Sequence, residues 1–121
     1  MSFDNEKPLC AVLEQKPGCI QAALRILGDK WSPLLIGQLV EHPMTFKELE
    51  LMLGGISSRT LTDRLQALQE SGIIEKIQYC KHPPRYRYNL TKKGQDLREI
   101  LVQMSKWGEK YQLDQATATV A

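Results

Sequence analysis

Residues 54–72 read GGISSRTLTDRLQALQESG, and this segment predicts one amphipathic helix. Ser57 or Ser58 offers a hydroxyl to the first free amides of the helix, and Gly72 supplies a stop. The inner stripe consists of leucines spaced four and three residues apart, Leu61, Leu65 and Leu68. The opposite face is short and polar, and it carries Arg59, Thr62, Asp63 and Gln66. Such a face suits the major groove of DNA, although this segment alone also fits an ordinary solvated surface helix.

The composition indicates one small globular domain. The chain has 121 residues, of which 42% are apolar and 25% are charged. Charged or amide side chains interrupt every apolar run before it reaches the ~20 residues of a membrane span. The first residues show no basic patch followed by an apolar run, so no secretory signal is predicted. We therefore expect a cytoplasmic protein.

The charge is distributed unevenly along the chain. The net charge is only +2. Residues 1–55 carry a net charge of −2, whereas residues 56–98 carry +5. Residues 76–93 contain no acid, and their basic side chains are Lys76, Lys81, Arg85, Arg87, Lys92 and Lys93. A local basic patch on a nearly neutral chain suits a polyanion, and a solvated charged hairpin is the alternative.

Three helices are predicted before residue 54. The first covers residues 19–27 and ends at Gly28 and Asp29. The second begins with Ser32 as its N-cap and Pro33 at its first position, and it is apolar almost all round, which predicts burial. Met44 forms a very short strand. The third helix begins at a Thr45–Glu48 capping box, and its inner face consists of Phe46, Leu49, Met52 and Leu53. With residues 54–72 it forms a helix-turn-helix.

The pattern changes to strands after residue 72. Residues 73–79 predict one strand, and His82-Pro83-Pro84 predicts a turn. Residues 85–90 alternate strictly between aromatic or aliphatic and polar side chains, which predicts a second strand. A β-hairpin directly after a helix-turn-helix is a winged helix. It places Lys81, Arg85 and Arg87 beside any DNA that the preceding helix binds.

The last predicted helix begins with Thr91 as its N-cap and runs to about residue 112. Its apolar side chains form a wide stripe made of Leu97, Ile100, Leu101, Met104, Trp107 and Tyr111. A stripe of this width needs a second surface to bury it, and we expect a homodimer interface rather than packing on its own domain. The fold class is therefore mainly α with a small β-hairpin (α+β), a winged helix-turn-helix that dimerises through terminal helices. Residues 1–18 form an arm, residues 19–112 the domain and residues 113–121 a tail.

From Cys19 to Tyr111 the chain resembles the HxlR-type transcriptional regulators, which are close to the MarR-type winged helix-turn-helix proteins. The matching motifs are ALxILGDKW at residues 23–31, FxEL at 46–49, GISxxxLxxRLxxLxxxG at 55–72, PPRxxYxLTxxG at 83–94 and Trp107-Gly108. The resemblance implies a homodimeric DNA-binding regulator whose terminal helices and N-terminal segment join the protomers.

A dimeric winged helix predicts a pseudo-palindromic double-stranded DNA site. The predicted helix contacts are Ser57, Ser58, Arg59, Thr60, Thr62, Asp63, Arg64 and Gln66. Of these, Thr60 and Arg64 lie on the flank and suit phosphates. The predicted wing contacts are Lys81, Arg85 and Arg87, and Lys92 and Lys93 are expected to add contacts to the DNA backbone. The alternative is a protein-interaction module whose basic patch binds an acidic partner.

The cysteines suggest a second role for the chain. Cys10, Cys19 and Cys80 are sparse and have no zinc-ligand spacing, so no metal or cofactor is predicted. No histidine is placed to activate a cysteine nucleophile, because His42 and His82 both sit beside prolines in turns, so no enzyme is predicted. Many HxlR-type members carry a cysteine just before the first helix, and some use it to sense oxidants or electrophiles. Cys19 occupies that position, with Ile20 where a proline often follows. The resemblance thus implies redox sensing at Cys19, with an inert packed thiol as the alternative.

Overall fold

A computed structural model describes residues 18–112, with side chains from Ile20 onward. The predicted arm up to Pro17 and the tail 113–121 lie outside the described residues. Within them the chain forms α1 (Gly18–Leu27), α2 (Trp31–Glu41), α3 (Phe46–Met52), α4 (Ser58–Glu70), β1 (Ile74–Lys81), β2 (Pro84–Leu90), α5 (Lys92–Gln95) and α6 (Arg98–Lys110). The predicted architecture, helices with one β-hairpin after a helix-turn-helix, is confirmed. In this described part, no helix has the length and apolarity needed to cross a membrane.

The core is built where α2, α3 and α4 meet the base of the hairpin. Its members are Leu35, Ile36, Leu39, Met44, Leu49, Leu53, Ile56, Leu61, Leu65, Leu68, Ile73, Ile74, Tyr88 and Leu90. Fully burying one such leucine or isoleucine contributes about 1.5–3 kcal/mol relative to leaving it exposed. The burial predicted for Met52 is wrong, because α3 ends there and its side chain is 58% exposed. The all-round burial predicted for α2 is also wrong at Leu34, which is exposed.

The start of α2 differs from the sequence prediction. The helix begins at Trp31, so Ser32 is inside it and buried rather than capping it. The Asp29 carboxylate accepts hydrogen bonds from the backbone N–H groups of Trp31 (3.0 Å) and Ser32 (2.9 Å). Partial burial would raise the pKa of Asp29, but hydrogen bonds from Ser32 and Trp31 and the nearby Arg64 charge outweigh it and lower that pKa. Asp29 is therefore the residue that satisfies the free amides of α2.

The capping box of α3 is confirmed. The Glu48 N–H donates to Thr45 Oγ1 at 3.2 Å, and the Thr45 N–H donates to Glu48 Oε1 at 2.8 Å. The short strand predicted at Met44 is present as a bridge to Tyr88, with hydrogen bonds in both directions (3.0 and 2.7 Å). This bridge attaches the start of the helix-turn-helix to the hairpin.

The hairpin is antiparallel, with Ile74 opposite Leu90 at its base and Lys81 opposite Pro84 at its tip. An irregularity between Gln78 and Cys80 leaves Tyr79 without a partner in the register. Pro84 was predicted in the turn but begins β2. A proline is tolerated there, because its missing N–H lies at the first residue of the strand.

The single C-terminal helix predicted from the sequence is divided into α5 and α6. Thr91 caps α5, since its Oγ1 accepts a hydrogen bond from the Gly94 N–H at 3.2 Å. Gly94 is buried directly against the Ile73 carbonyl, and this close contact holds α5 under the hairpin. The chain then turns at Asp96 and Leu97 before α6 starts at Arg98.

The apolar stripe of α6 is also divided between two surfaces. Leu97 and Leu101 are partly buried against the core of their own domain, and their predicted place in the dimer interface stays a prediction. The exposed members of the predicted stripe are Ile100, Met104, Trp107 and Tyr111.

Two glycine substitutions test this packing in opposite directions. Gly94→Ala should destabilise the fold by about 1–3 kcal/mol, because the new Cβ would overlap the Ile73 carbonyl and press on Leu90. Gly37→Ala, in the exposed part of α2 where a Cβ meets nothing within 4 Å, should stabilise it by roughly 0.5–1 kcal/mol. Urea unfolding of both variants measures the difference. An unchanged midpoint for Gly94→Ala would contradict the close packing of α5.

Candidate nucleic-acid interface

The N-terminal end of α4 is fixed by its cap and by the turn before it. Ser57 is the N-cap: its Oγ accepts a hydrogen bond from the Thr60 N–H at 3.0 Å and lies 2.9 Å from Thr60 Oγ1. Gly55 has a φ of +94° in the preceding turn, a conformation that L-residues with a Cβ rarely adopt. Ser57 and Thr60, both predicted DNA contacts, therefore also have a structural role in starting the helix.

The predicted outer face of α4 is exposed along its length. Leu61, Leu65 and Leu68 are buried, so the side chains on the opposite face lie in solvent. The exposed residues of this face are Arg59, Thr62, Asp63 and Gln66. Thr62 Oγ1 donates to the Ser58 carbonyl at 2.8 Å, and Gln66 Nε2 lies 3.5 Å from a Glu70 oxygen. The face presents a cation, a carboxylate, a hydroxyl and an amide side by side.

Ser58 is partly engaged within the chain. Its hydroxyl donates to Glu50 Oε2 at 2.5 Å, which ties the first residue of α4 to α3. Both side chains lie at the surface, where a polar ligand can compete for the hydroxyl. This bond adds a surface contact between the two helices of the helix-turn-helix.

Arg64 lies in a different environment from the one predicted. Its guanidinium is 3.6 Å from the Asp29 carboxylate, and its side chain is 36% exposed. The two residues line a cleft of about 310 Å³ together with Lys30, Thr60 and Asp63. The ion pair offsets part of the charge of Arg64 and joins α4 to the α1–α2 turn, and the phosphate contact expected for Arg64 stays a prediction.

The wing carries exposed cations, and aromatic rings hold two of its basic side chains. Lys81, Arg85 and Arg87 are all exposed. The Arg87 guanidinium lies 4.2 Å from the centroid of the Tyr79 ring, and the Lys76 ammonium lies 4.6 Å from that of Tyr86. The sequence places Lys76 in the basic patch, but its aromatic partners depend on strand register, which composition does not reveal.

Lys92 and Lys93 are exposed and make contacts within the chain, and the contacts with the DNA backbone expected for them stay a prediction. Lys92 Nζ lies 3.0 Å from Asp96 Oδ1, and both side chains are well exposed. Lys93 Nζ donates to the Ser71 carbonyl at 2.7 Å, just beyond the last turn of α4. A cation is favourable at this end of a helix, because the free carbonyls carry partial negative charge. Lys93 therefore holds the end of α4 that is opposite Ser57.

The cysteines occupy the first helix and the wing. The backbone of Cys19 lies in the first turn of α1, and its side chain lies outside the described residues. Cys80 is a free, half-buried thiol opposite Arg85 in the hairpin. Among the residues whose side chains are described, no three histidine, cysteine or carboxylate groups are arranged to hold a metal ion.

Known proteins share both the sequence pattern and this arrangement. Residues 26–116 match the family described as HxlR-like helix-turn-helix. The uncharacterised HTH-type transcriptional regulator YdeP of Bacillus subtilis (strain 168) is 35% identical over 95 residues, which cover 78% of this chain and 74% of YdeP.

Solved structures agree with this family match. The redox regulator HypR in its oxidised form superimposes with a TM-score of 0.71 at 32% identity, over 75% of this chain and 94% of HypR. The reduced form of the transcriptional regulator YodB from B. subtilis gives a TM-score of 0.69 at 30% identity, over 76% of this chain and 90% of YodB. These relatives are transcriptional regulators and not enzymes, in agreement with the sequence prediction. The chain therefore belongs to the HxlR-like helix-turn-helix family of transcriptional regulators.

Proposed function

We propose that the protein is a sequence-specific DNA-binding transcriptional regulator that acts as a homodimer on a pseudo-palindromic operator. The observation that carries this proposal is the exposed polar face of α4 beside a basic hairpin. The two elements share one buried core, so their relative position is rigid. A polar helix next to a cationic strand pair suits a groove and its flanking phosphates.

Base recognition is assigned to α4. Arg59 lies in the first turn, where a recognition helix approaches base edges most closely, and its guanidinium suits a bidentate bond to guanine. Thr62, Asp63 and Gln66 extend the same exposed face. In a dimer the two copies of α4 would enter successive major grooves about 34–36 Å apart, which is one turn of B-DNA.

The backbone contacts are assigned to the wing. Lys81, Arg85 and Arg87 are exposed, and no acid interrupts residues 76–93. Each of these cations suits a phosphate or an adjacent minor groove. Arg64 is assigned a weaker role, since it already pairs with Asp29.

The dimer interface is assigned to the exposed side of α6. Ile100, Met104, Trp107 and Tyr111 are exposed in the single chain, and the rings of Trp107 and Tyr111 are in contact at a tilt of 47°, with centroids 5.1 Å apart. Water-facing apolar side chains in one row are typical of an interaction surface. A second copy of the chain would cover this row and pair the two copies of α4.

A thiol response at Cys19 belongs to the same proposal. The redox regulator HypR is known in an oxidised and a reduced form. Helix N-termini generally stabilise thiolates, and the backbone of Cys19 lies in the first turn of α1. Oxidation at this position would act on DNA binding through the dimer.

Two arginine variants test the DNA-binding assignment. Arg59→Ala should weaken binding to the cognate duplex by about 1–3 kcal/mol and leave a scrambled duplex almost unaffected, because a base contact is lost. Arg85→Ala should weaken both duplexes alike and reduce the slope of log K against log salt by about 0.9, the value for one phosphate. Fluorescence anisotropy at several salt concentrations measures both. If Arg59→Ala lost the same affinity on all sequences, Arg59 would be a phosphate contact and not a base contact. If Arg85→Ala left the salt slope unchanged, Arg85 would not contact a phosphate.

A substitution in α6 tests the dimer. Trp107→Glu should shift the protein towards monomer, because a charge replaces a ring that is 69% exposed in the single chain and is expected to be covered by the partner. Sedimentation equilibrium gives the mass, and Lys106→Ala, exposed on the same helix, serves as the control. A wild-type protein that sediments as a monomer would refute the proposed dimer, and an unaffected dimer in Trp107→Glu would place the interface elsewhere.

The thiol assignment has its own test. Treatment of the wild type with diamide should change its affinity for the operator, and Cys19→Ser should abolish that change. Cys80→Ser is the matched control and should respond like the wild type. If Cys19→Ser retains the full response, or if oxidised wild type binds unchanged, Cys19 is not the sensor.

A further inference from the structure

We propose that the cleft between α3 and the wing is an additional seat for the DNA backbone, in which Lys47 and Lys76 contact phosphates and Tyr86 positions Lys76. This inference rests on the proposed function and extends its contact surface beyond α4 and the three wing cations. Lys47 does not stand out in the sequence, because it is an isolated basic residue in the acidic half of the chain, whereas Lys76 belongs to the basic patch at residues 76–93.

The cleft is cationic and lacks carboxylates. Its volume is about 380 Å³, and its cations are Lys47 from the first turn of α3, Lys76 from β1 and Arg85 from β2. No acidic side chain is among the residues that line it. The Glu48 carboxylate, which accepts the Thr45 N–H in the capping box, is charged but is not among the residues that line the cleft. The cleft therefore offers three positive charges to an anion without an internal counter-ion.

Aromatic rings fix the position of Lys76. Its ammonium lies 4.6 Å from the centroid of the Tyr86 ring and 6.0 Å from that of Tyr88. A lysine that is unrestrained in the free protein loses the conformational entropy of its flexible four-carbon side chain when it binds a phosphate. Because the rings already restrict the side chain in the free protein, less conformational entropy remains to be lost on binding. Tyr86 is thus a positioning residue that acts through Lys76.

The shape of the cleft favours a polymer over a small ligand. The cleft is open to solvent, and the Tyr79 and Tyr86 rings are each about 40% exposed. Small-molecule sites usually enclose most of the ligand surface, which an open cleft cannot do. A phosphodiester chain needs no enclosure, since its affinity is the sum of many separate contacts and released counterions.

The location of the cleft points to the same ligand. Arg85 belongs both to this cleft and to the wing contacts assigned above, so the two surfaces are continuous. In helix-turn-helix proteins the helix before the recognition helix crosses the DNA backbone, and Lys47 lies in the first turn of that helix. A strand of backbone that leaves α4 towards the wing would pass over Lys47 and Lys76.

Salt-dependent anisotropy titrations of the full-length protein test this seat. Lys76→Ala and Lys47→Ala should each lower the affinity for cognate and scrambled duplexes alike and reduce the salt slope by about 0.9. Tyr86→Leu should lower the affinity without changing the slope, because the charge remains but is no longer held. Tyr86→Phe keeps the ring and should behave like the wild type, and Lys106→Ala on α6 should leave both affinity and slope unchanged. Thermal melting by circular dichroism checks that each variant is folded.

The outcomes separate this proposal from the proposed function. Suppose that the wild type prefers its operator and that Lys47→Ala and Lys76→Ala bind with unchanged affinity and salt slope. The cleft would then not bind the DNA backbone, and the proposed function would be unaffected. A wild type that binds all duplexes equally would contradict sequence-specific regulation, while the slopes on the scrambled duplex would still decide the seat. If millimolar benzoate displaced duplex from the wild type but not from Lys76→Ala, the cleft would belong to a small organic anion, and the proposal would fail.

Discussion

Burial of one leucine stripe determines the orientation of α4. Leu61, Leu65 and Leu68 are almost completely enclosed by α2 and the base of the hairpin. Since successive helical residues are rotated by about 100°, enclosing this stripe exposes the polar residues on the other side. The burial that stabilises the domain therefore also turns the proposed recognition face of α4 towards solvent. A change in the core would change the orientation of that face as well.

Polar contacts at both ends and on one flank hold this orientation. Ser57 caps the first turn of α4, and Lys93 binds the Ser71 carbonyl beyond its last turn. On the flank, Arg64 pairs with Asp29, which itself caps α2. Such support suits readout of base edges, because a bidentate contact tolerates little displacement of the side chain that makes it. Arg64, chosen from the sequence as a DNA contact, thus acts here in the scaffold of the site.

Local sequence signals predicted most of the fold, and contacts between distant residues account for what they missed. The capping box at Thr45, the leucine stripe and the alternation of β2 each depend on residues a few positions apart, so a single sequence displays them. The bond from Lys93 to Ser71 joins residues 22 positions apart. The ion pair joins Asp29 and Arg64, which are separated in the sequence by α2 and α3. The division of the α6 stripe into an inner Leu101 and an outer Trp107 likewise depends on how α6 packs against α2. Periodicity reports that a side chain is apolar, but it does not report which surface covers it.

In the proposed dimer, two copies of the outer face of α4 read one DNA site. The most direct measurement is a selection from a pool of random duplexes with purified, reduced protein, followed by sequencing of the bound fraction. A dimer that binds in this way should enrich a pseudo-palindrome whose half-sites are centred about 10–10.5 base pairs, or one helical turn, apart. A bound fraction with no sequence preference, or a single unpaired motif, would contradict it.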